Sequence, residues 1–229
     1  MSDMKTPFVS AVIVAAGSGQ RMGFDKLTAV LSGKSVIART MLAFVNNRYI
    51  DEIILVSSQK NIDFFTKEVK ENNIEKCKSI VLGGQNRSES CILGIKAAMG
   101  DIVLIHDGAR PLVSDQIISS VTEEALEFGA AAVAVPAKDT IKLRDENGFI
   151  KENIERENAV LMQTPQAFIR SEIIKAYALS TSDETDDCAV AQKHGIKIKL
   201  TYGSYENLKL TTPEDFWVAE EILKNRTTL

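Results

Sequence analysis

The sequence predicts a three-layer α/β fold around a mostly parallel sheet, and three observations predict it. Short apolar, β-branched runs alternate with helical patterns over the first two-thirds of the chain. Those runs are apolar on both faces, as strands are when helices cover a sheet from two sides. The first run leads straight into a glycine-rich turn, which at the end of a parallel strand exposes backbone N–H groups to a ligand.

In chain order, Val9 to Ala15 reads as a buried strand. Val36 to Asn47 reads as a helix that gathers Val36, Ile37, Thr40, Met41 and Phe44 on one face. Glu52 to Ser57 is a strand, Asn61 to Glu71 a helix, Ser79 to Leu82 a strand and Ser88 to Ala98 a helix. Ile102 to Ile105 is a strand. Ser114 to Phe128 follows as a helix, with Ser114 as N-cap and Gly129 just past its end. Ala131 to Val135 is another strand.

Thr140 to Arg144 and Phe149 to Ile154 then flank the turn Asp145-Glu146-Asn147-Gly148, whose Asn-Gly step is a strong hairpin signal. This hairpin reads as polar and interrupts the α/β rhythm, so 137–156 is expected as an inserted arm in one domain over 1–229. An isolated two-stranded hairpin is marginal in water, so it should pack on something else. The tail resumes with helices near Ser171 to Ser180 and Asp186 to His194 and a strand at Ile196 to Tyr202. A last helix starts at Pro213, with Thr212 as its cap.

The 229 residues fit one large domain or two small ones at about 150 residues each. Hydrophobic residues at 45% and charged residues at 25% are ordinary globular values and exclude disorder, collagen and coiled coil. A net charge of −4 is poorly suited to wrapping a nucleic-acid backbone and leaves room for a local basic pocket that takes a small phosphate ligand. Cys77, Cys91 and Cys188 form no Cys-x-x-Cys, which fits a reducing compartment rather than a disulfide framework or a zinc site. Only Lys5 supplies a positive charge ahead of the apolar run from Phe8 to Ala16, and Asp3 offsets it, so the expectation is a cytoplasmic protein. No stretch reaches the roughly 18 apolar residues that crossing a membrane requires.

The chemistry concentrates in loops that follow strands. Ala15-Ala16-Gly17-Ser18-Gly19-Gln20-Arg21-Met22-Gly23 comes directly after the first strand, and Gly17 and Gly19 open its backbone to a nucleotide. The dinucleotide fingerprint fails because Met22 stands where its last glycine is required. A P-loop fails because Thr28 stands where the glycine before Gly33-Lys34-Ser35 should be. Arg21 and Lys26 follow the glycines closely enough to reach phosphates seated over them, and phosphoryl transfer needs cations there. Two more loops, Gly83 to Ser90 and His106-Asp107-Gly108-Ala109-Arg110-Pro111, end the third and fourth strands and converge on the same crevice. A carboxylate such as Asp107 at a strand end can bind substrate hydroxyls or help hold Mg²⁺. Further cations and hydroxyls come from Arg156-Glu157-Asn158, Gln163-Thr164-Pro165-Gln166 and Asn207 to Asp215, which includes Lys209.

Together these motifs resemble the 2-C-methyl-D-erythritol 4-phosphate cytidylyltransferases of the non-mevalonate isoprenoid pathway, from about Val9 to Leu223. The resemblance implies a Rossmann-like sheet of the nucleotide-diphospho-sugar transferase type, CTP and Mg²⁺, and a homodimer formed through the β-arm. It assigns Arg21 and Lys26 to a triphosphate clamp and Lys209 to the α-phosphate. Ala15, Ala16, Gly84 and Ser90 become cytosine contacts, and Asp107 and Arg110 fall on the sugar-phosphate side. Thr140, Arg156 and Thr164 become substrate-binding groups, with Thr140 and Arg156 reaching in from the partner subunit. One departure is the short stretch Gly23-Phe24-Asp25-Lys26-Leu27, where the family usually carries a longer segment ending in Pro-Lys-Gln.

No general base is needed for such a reaction, because a phosphate monoester with a second pKa of about 6 is already a dianion. His106 is therefore expected in a packing or hydrogen-bonding role. Two alternatives stay open on the residues alone: a ribitol-5-phosphate cytidylyltransferase and a catalytically silent nucleotide-binding regulator.

Overall fold

Residues 6–17, 24–180, 184 and 186–228 are described by the structure, a computed structural model. Its centre is a seven-stranded sheet in the order β11-β7-β10-β6-β1-β4-β5. The strands are β1 (Val9–Ala15), β4 (Glu52–Ser57), β5 (Cys77–Leu82), β6 (Ile102–Asp107), β7 (Ala130–Pro136), β10 (Val160–Ile169) and β11 (Lys199–Tyr202). All neighbouring pairs are parallel except those of β10, which runs antiparallel to both β6 and β7. The chain first builds outwards from β1 through β4 to β5, then returns to the other side of β1 with β6. That reversal opens a crevice beyond the carboxyl ends of β1 and β6.

Successive residues of the central strands feed opposite layers, as a period of two requires. Ala11 and Ile13 of β1, Ile53 and Leu55 of β4 and Leu104 of β6 pack into one cluster. Helices α1 (Val36–Val45), α2 (Ile62–Glu71), α4 (Asp115–Phe128) and α7 (Pro213–Thr228) cover that face, with Phe44, Phe65, Val121 and Ala219 fully buried. Val12, Ile54, Val56, Val103 and Ile105 face the other cluster. It is closed by α3 (Arg87–Ala97), α5 (Arg170–Leu179) and α6 (Asp187–Lys193). Three layers result, as the patterning predicts.

Caps set the helix ends. Ser114 accepts a hydrogen bond from the Ile117 N–H, and Gly129 closes α4 with φ of 85°. Ser32 and Gly33 make the tight turn between β2 (Val30–Leu31) and β3 (Lys34–Ser35), and Ser35 caps α1.

The sequence reading assigns no strand to 160–169. There the structure has β10, whose register shifts between Met162 and Gln166 around Pro165. The strand predicted from Ile196 begins only at Lys199. Beyond the main sheet, β8 (Lys142–Arg144) and β9 (Ile150–Asn153) pair as the expected hairpin, turned by Asp145, whose Oδ1 accepts from the Asn147 and Phe149 N–H groups. The expectation of a polar arm needs correction, since Phe149 and Ile150 are each 72% exposed at its tip. Strand alternation puts apolar side chains on the arm with no body beneath them. Among the described residues no helix is long and apolar enough to cross a membrane.

Candidate active site

A cavity of about 560 Å³ occupies the crevice beyond β1 and β6. Ala15, Ala16 and Gly17 form one wall, and Gly84, Arg87 and Ser90 face them from the loop and helix after β5. Asp107 closes the floor, while Lys26 and Lys209 enter from the two loops at the mouth.

The glycine pair after β5 is a matter of close approach. A Cβ on Gly83 would lie 2.4 Å from the Ala16 Cβ and 2.7 Å from the Ser90 Oγ, and one on Gly84 would meet Glu89 at 2.3 Å. Bare backbone lets this loop fold against the first strand and onto the start of α3. Asn86 caps α3 by accepting from the Glu89 N–H. Ser90 is 3% exposed, donates its hydroxyl proton to the Asn86 carbonyl at 2.8 Å and accepts from the Gly84 N–H at 3.1 Å.

Asp107 collects cations. Lys209 Nζ lies 3.0 Å, Arg110 Nε 3.3 Å and Arg87 Nε 3.9 Å from its carboxylate oxygens. Burial pushes the Asp107 carboxyl up, but Lys209, Arg87 and Arg110 outweigh it and hold the group well below the usual carboxylate range. The carboxylate is therefore ionised at neutral pH, with cations in excess around it.

His106, fully buried, sits behind this floor with its ring 4.9 Å from that of Phe44. Its Nε2 is 3.1 Å from the Arg110 carbonyl, which can only accept, so Nε2 carries the proton. Nδ1 then accepts from the Thr164 hydroxyl at 3.0 Å, and the same hydroxyl accepts from the Asp107 N–H at 3.1 Å. This chain fixes the Asp107 backbone. Burial lowers the His106 pKa from 6.5 to about 4, so the ring is neutral and structural, as expected.

That shift sets a pH dependence. Between pH 6.5 and about 4 the unfolded chain binds a proton that folded His106 refuses, so stability falls as pH drops through this window. The thermal midpoint of a His106→Gln variant should change less over the same window than that of the parent. Parallel curves in thermal scans would place the acid sensitivity elsewhere.

Lys26 donates to the Leu210 carbonyl at 2.8 Å, across 184 residues of sequence. The loop that carries Lys209 is tied at several points. Asn207 donates to the Thr164 carbonyl and Arg110 to the Asn207 carbonyl, and Asp215 Oδ2 accepts from the Thr211 and Thr212 N–H groups.

With this geometry in view, comparison with known proteins is decisive. A family model described as 2-C-methyl-D-erythritol 4-phosphate cytidylyltransferase matches residues 9–225. The chain belongs to this family. Curated relatives of that name include one from Clostridium acetobutylicum, 41% identical over 224 residues, covering 95% of this chain and 98% of the relative. Another, from Dehalococcoides mccartyi, is 43% identical over 218 residues, covering 94% and 96%. Among solved structures, the 4-diphosphocytidyl-2C-methyl-D-erythritol synthase of Anaerococcus prevotii superposes with a TM-score of 0.85 at 30% identity, covering 96% and 97% of the two chains.

Within the cytidylyltransferase fold, Ala15, Ala16, Gly17, Lys26, Gly84, Ser90, Asp107 and Lys209 all come together around one cavity. Gly19 and Arg21 lie outside the described residues. Arg110 stands beside the floor on Asp107, with its side chain 11% exposed. Thr164 is 4% exposed and acts through the Asp107 backbone, behind the cavity wall. Thr140 and Arg156 are exposed at the two bases of the arm and do not line this chain's own cavity.

Arg87 carries no role from the sequence alone. It lines the cavity and is held from behind by Asp187 at 2.6 Å, itself fully buried and bound by the Tyr177 hydroxyl at 2.5 Å. Its signal was its place at the start of a helix after a glycine loop, where an inward cation meets a phosphate or a carboxylate. Its partner Asp187 was hidden 100 residues away.

Proposed function

We propose that this chain transfers CMP from CTP to 2-C-methyl-D-erythritol 4-phosphate, releasing pyrophosphate and forming 4-diphosphocytidyl-2-C-methyl-D-erythritol. The observation that carries the reading is the cavity itself, lined by Lys26, Lys209 and Asp107 in a chain matched over residues 9–225. Gly17 and Gly84 receive the nucleotide by backbone, and Arg21, Lys26 and Lys209 receive the triphosphate. The phosphate of the polyol attacks the α-phosphorus in line, so one P–O bond forms as the bond to pyrophosphate breaks. The attacking group is already a dianion, so no side chain takes a proton. Catalysis consists of holding the two anions in line and neutralising the charge that gathers between them.

Among the described residues no group of three or more His, Cys, Asp and Glu gathers to cage a metal. Asp107 is the one carboxylate among the described residues lining the cavity and already meets Lys209, Arg110 and Arg87, so Mg²⁺ would sit mainly on the substrate phosphates, as an ion that needs only one or two carboxylates can. Asp107 would hold it from the protein side, and the ion would supply charge neutralisation on the triphosphate. We place the enzyme in the cytoplasm as a homodimer whose arms reach the partner's site. Pyrophosphate release from CTP and Mg²⁺ with a panel of polyol phosphates tests the assignment, and turnover only with ribitol 5-phosphate would overturn it.

Base choice follows from the direction of one proton. The Ser90 hydroxyl donates to Asn86, so what it still offers the cavity is an acceptor. Cytosine presents an amino donor where uracil presents a carbonyl acceptor. Ser90→Ala should therefore narrow the preference for CTP over UTP by roughly fivefold, the factor carried by one hydrogen bond of about 1 kcal/mol. An unchanged ratio of kcat/KM values would leave Ser90 with only its helical contacts.

A further inference from the structure

We propose that Asp25 and Asn61 form a clasp that positions Lys26, with Asp25 acting as a positioning residue for the phosphate-binding ammonium. The inference rests on the reading of Lys26 as a phosphate ligand and adds to it how this chain aims that side chain.

Lys26 sits in a turn with two anchorages. On its carboxyl side the backbone is fixed to the start of α1, where the Ile37 and Val36 N–H groups donate to the Leu27 and Ala29 carbonyls at 3.1 and 3.0 Å. On its amino side the anchor is Asp25. One carboxylate oxygen accepts from the Leu27 N–H at 3.1 Å, and the Asp25 carbonyl accepts from the Ala29 N–H and the Thr28 hydroxyl. An aspartate that bonds its own backbone two residues on closes a local turn and nothing more.

The other carboxylate oxygen carries the tertiary information. It accepts from the Asn61 side-chain amide at 2.8 Å, 36 residues away, and lies 3.6 Å from the ammonium of Lys60. Lys60 is 76% exposed and contributes little, whereas the Asp25 side chain is 12% exposed and Asn61 is 3% exposed.

Asn61 also occupies the N-cap position of α2 yet makes no side-chain cap bond. Asparagine is among the preferred residues at that position because its oxygen satisfies a free helical N–H. Here the amide is directed at Asp25 instead. The clasp thereby ties the Lys26 turn to the layer beneath the crevice, and Lys26 reaches the Leu210 carbonyl on the loop that bears Lys209.

The test is a swap cycle in the full-length chain, read by steady-state kinetics and thermal midpoint with Lys26→Ala as reference. Asn61→Asp sets carboxylate against carboxylate. It should lower kcat by roughly ten- to hundredfold, the cost of misplacing a catalytic group by about 1 Å. The midpoint should also fall, because two carboxylates would meet where Asn61 is 3% exposed, so kcat is read on folded protein, where a purely structural role would leave it unchanged. The double variant Asp25→Asn/Asn61→Asp restores an amide facing a carboxylate and should recover kcat to within about threefold of the parent. Asp25→Ala, which removes both side-chain ties, should lose kcat as Asn61→Asp does and covers the case in which Asn61→Asp does not fold. Wild-type kcat in folded Asn61→Asp or Asp25→Ala, or a double variant no better than Asn61→Asp, overturns the clasp. Lys26→Ala at the parental rate instead overturns the role of Lys26.

Discussion

Lys209→Ala should lower kcat by roughly 10² to 10³, the usual loss when one donor of transition-state charge is removed. Lys209 reaches the cavity from a loop strapped by Asn207, Arg110 and Asp215, so its ammonium arrives without having to be ordered during the reaction. It lies 3.0 Å from Asp107, and Arg110 and Arg87 remain beside that carboxylate when Lys209 is removed. The fold should therefore survive, with little change in thermal midpoint. The KM for CTP should rise far less than kcat falls, because charge at the α-phosphorus gathers mainly on the way to the transition state. Arg21→Ala is expected to behave alike from its place in the glycine loop. A variant of either residue turning over at the parental rate would remove that residue from the clamp.

Much of the fold was legible because burial on both faces writes one signal repeatedly. Val12, Ile54 and Val103 face one layer while Ala11, Ile53 and Leu104 face the other, and each strand reads as an unbroken apolar run. Strand β10 was not legible for the opposite reason. Pro165 breaks its ladder, and Gln163, Thr164 and Gln166 are polar although buried. Gln163 and Gln166 are satisfied by partners far along the chain: the Gln163 amide donates to the Ser204 carbonyl and the Gln166 amide to Asp186. A sequence shows the polarity of such residues without showing who meets it.

The site divides in the same way. Residues on loops just after β1, β5 and β6 could be gathered by topology, since a parallel sheet delivers the carboxyl ends of its strands to one side. Arg87 with Asp187, and Asp25 with Asn61, depend on pairings across 100 and 36 residues that no local pattern marks. The Thr164 hydroxyl, expected from its motif at the substrate, bonds the Asp107 N–H and His106, two partners that the motif does not mark.

Mixing Arg156→Ala chains with Lys26→Ala chains, each inactive alone, should restore activity to about one quarter of the parental rate at random pairing in a two-fold dimer. The reasoning begins at the arm. Leu143, Phe149 and Ile150 are exposed on a hairpin too small to be stable by itself, and the proposed dimer would give them a partner surface to cover them. Thr140 and Arg156 stand at the two bases of that arm, both exposed and both away from their own cavity. A phosphate monoester entering a cavity needs a cation for its own charge, and a guanidinium can hold it bidentately. An arm docked on the neighbour carries Arg156 to that neighbour's Lys26. About half of the random dimers are then mixed, and each mixed dimer owns one site with both groups intact and one with neither, which gives the quarter. Exchange of subunits is verified separately by native mass spectrometry on differently tagged chains. Proven exchange without recovery of activity would return Arg156 to the site of its own subunit and leave the arm a purely structural contact.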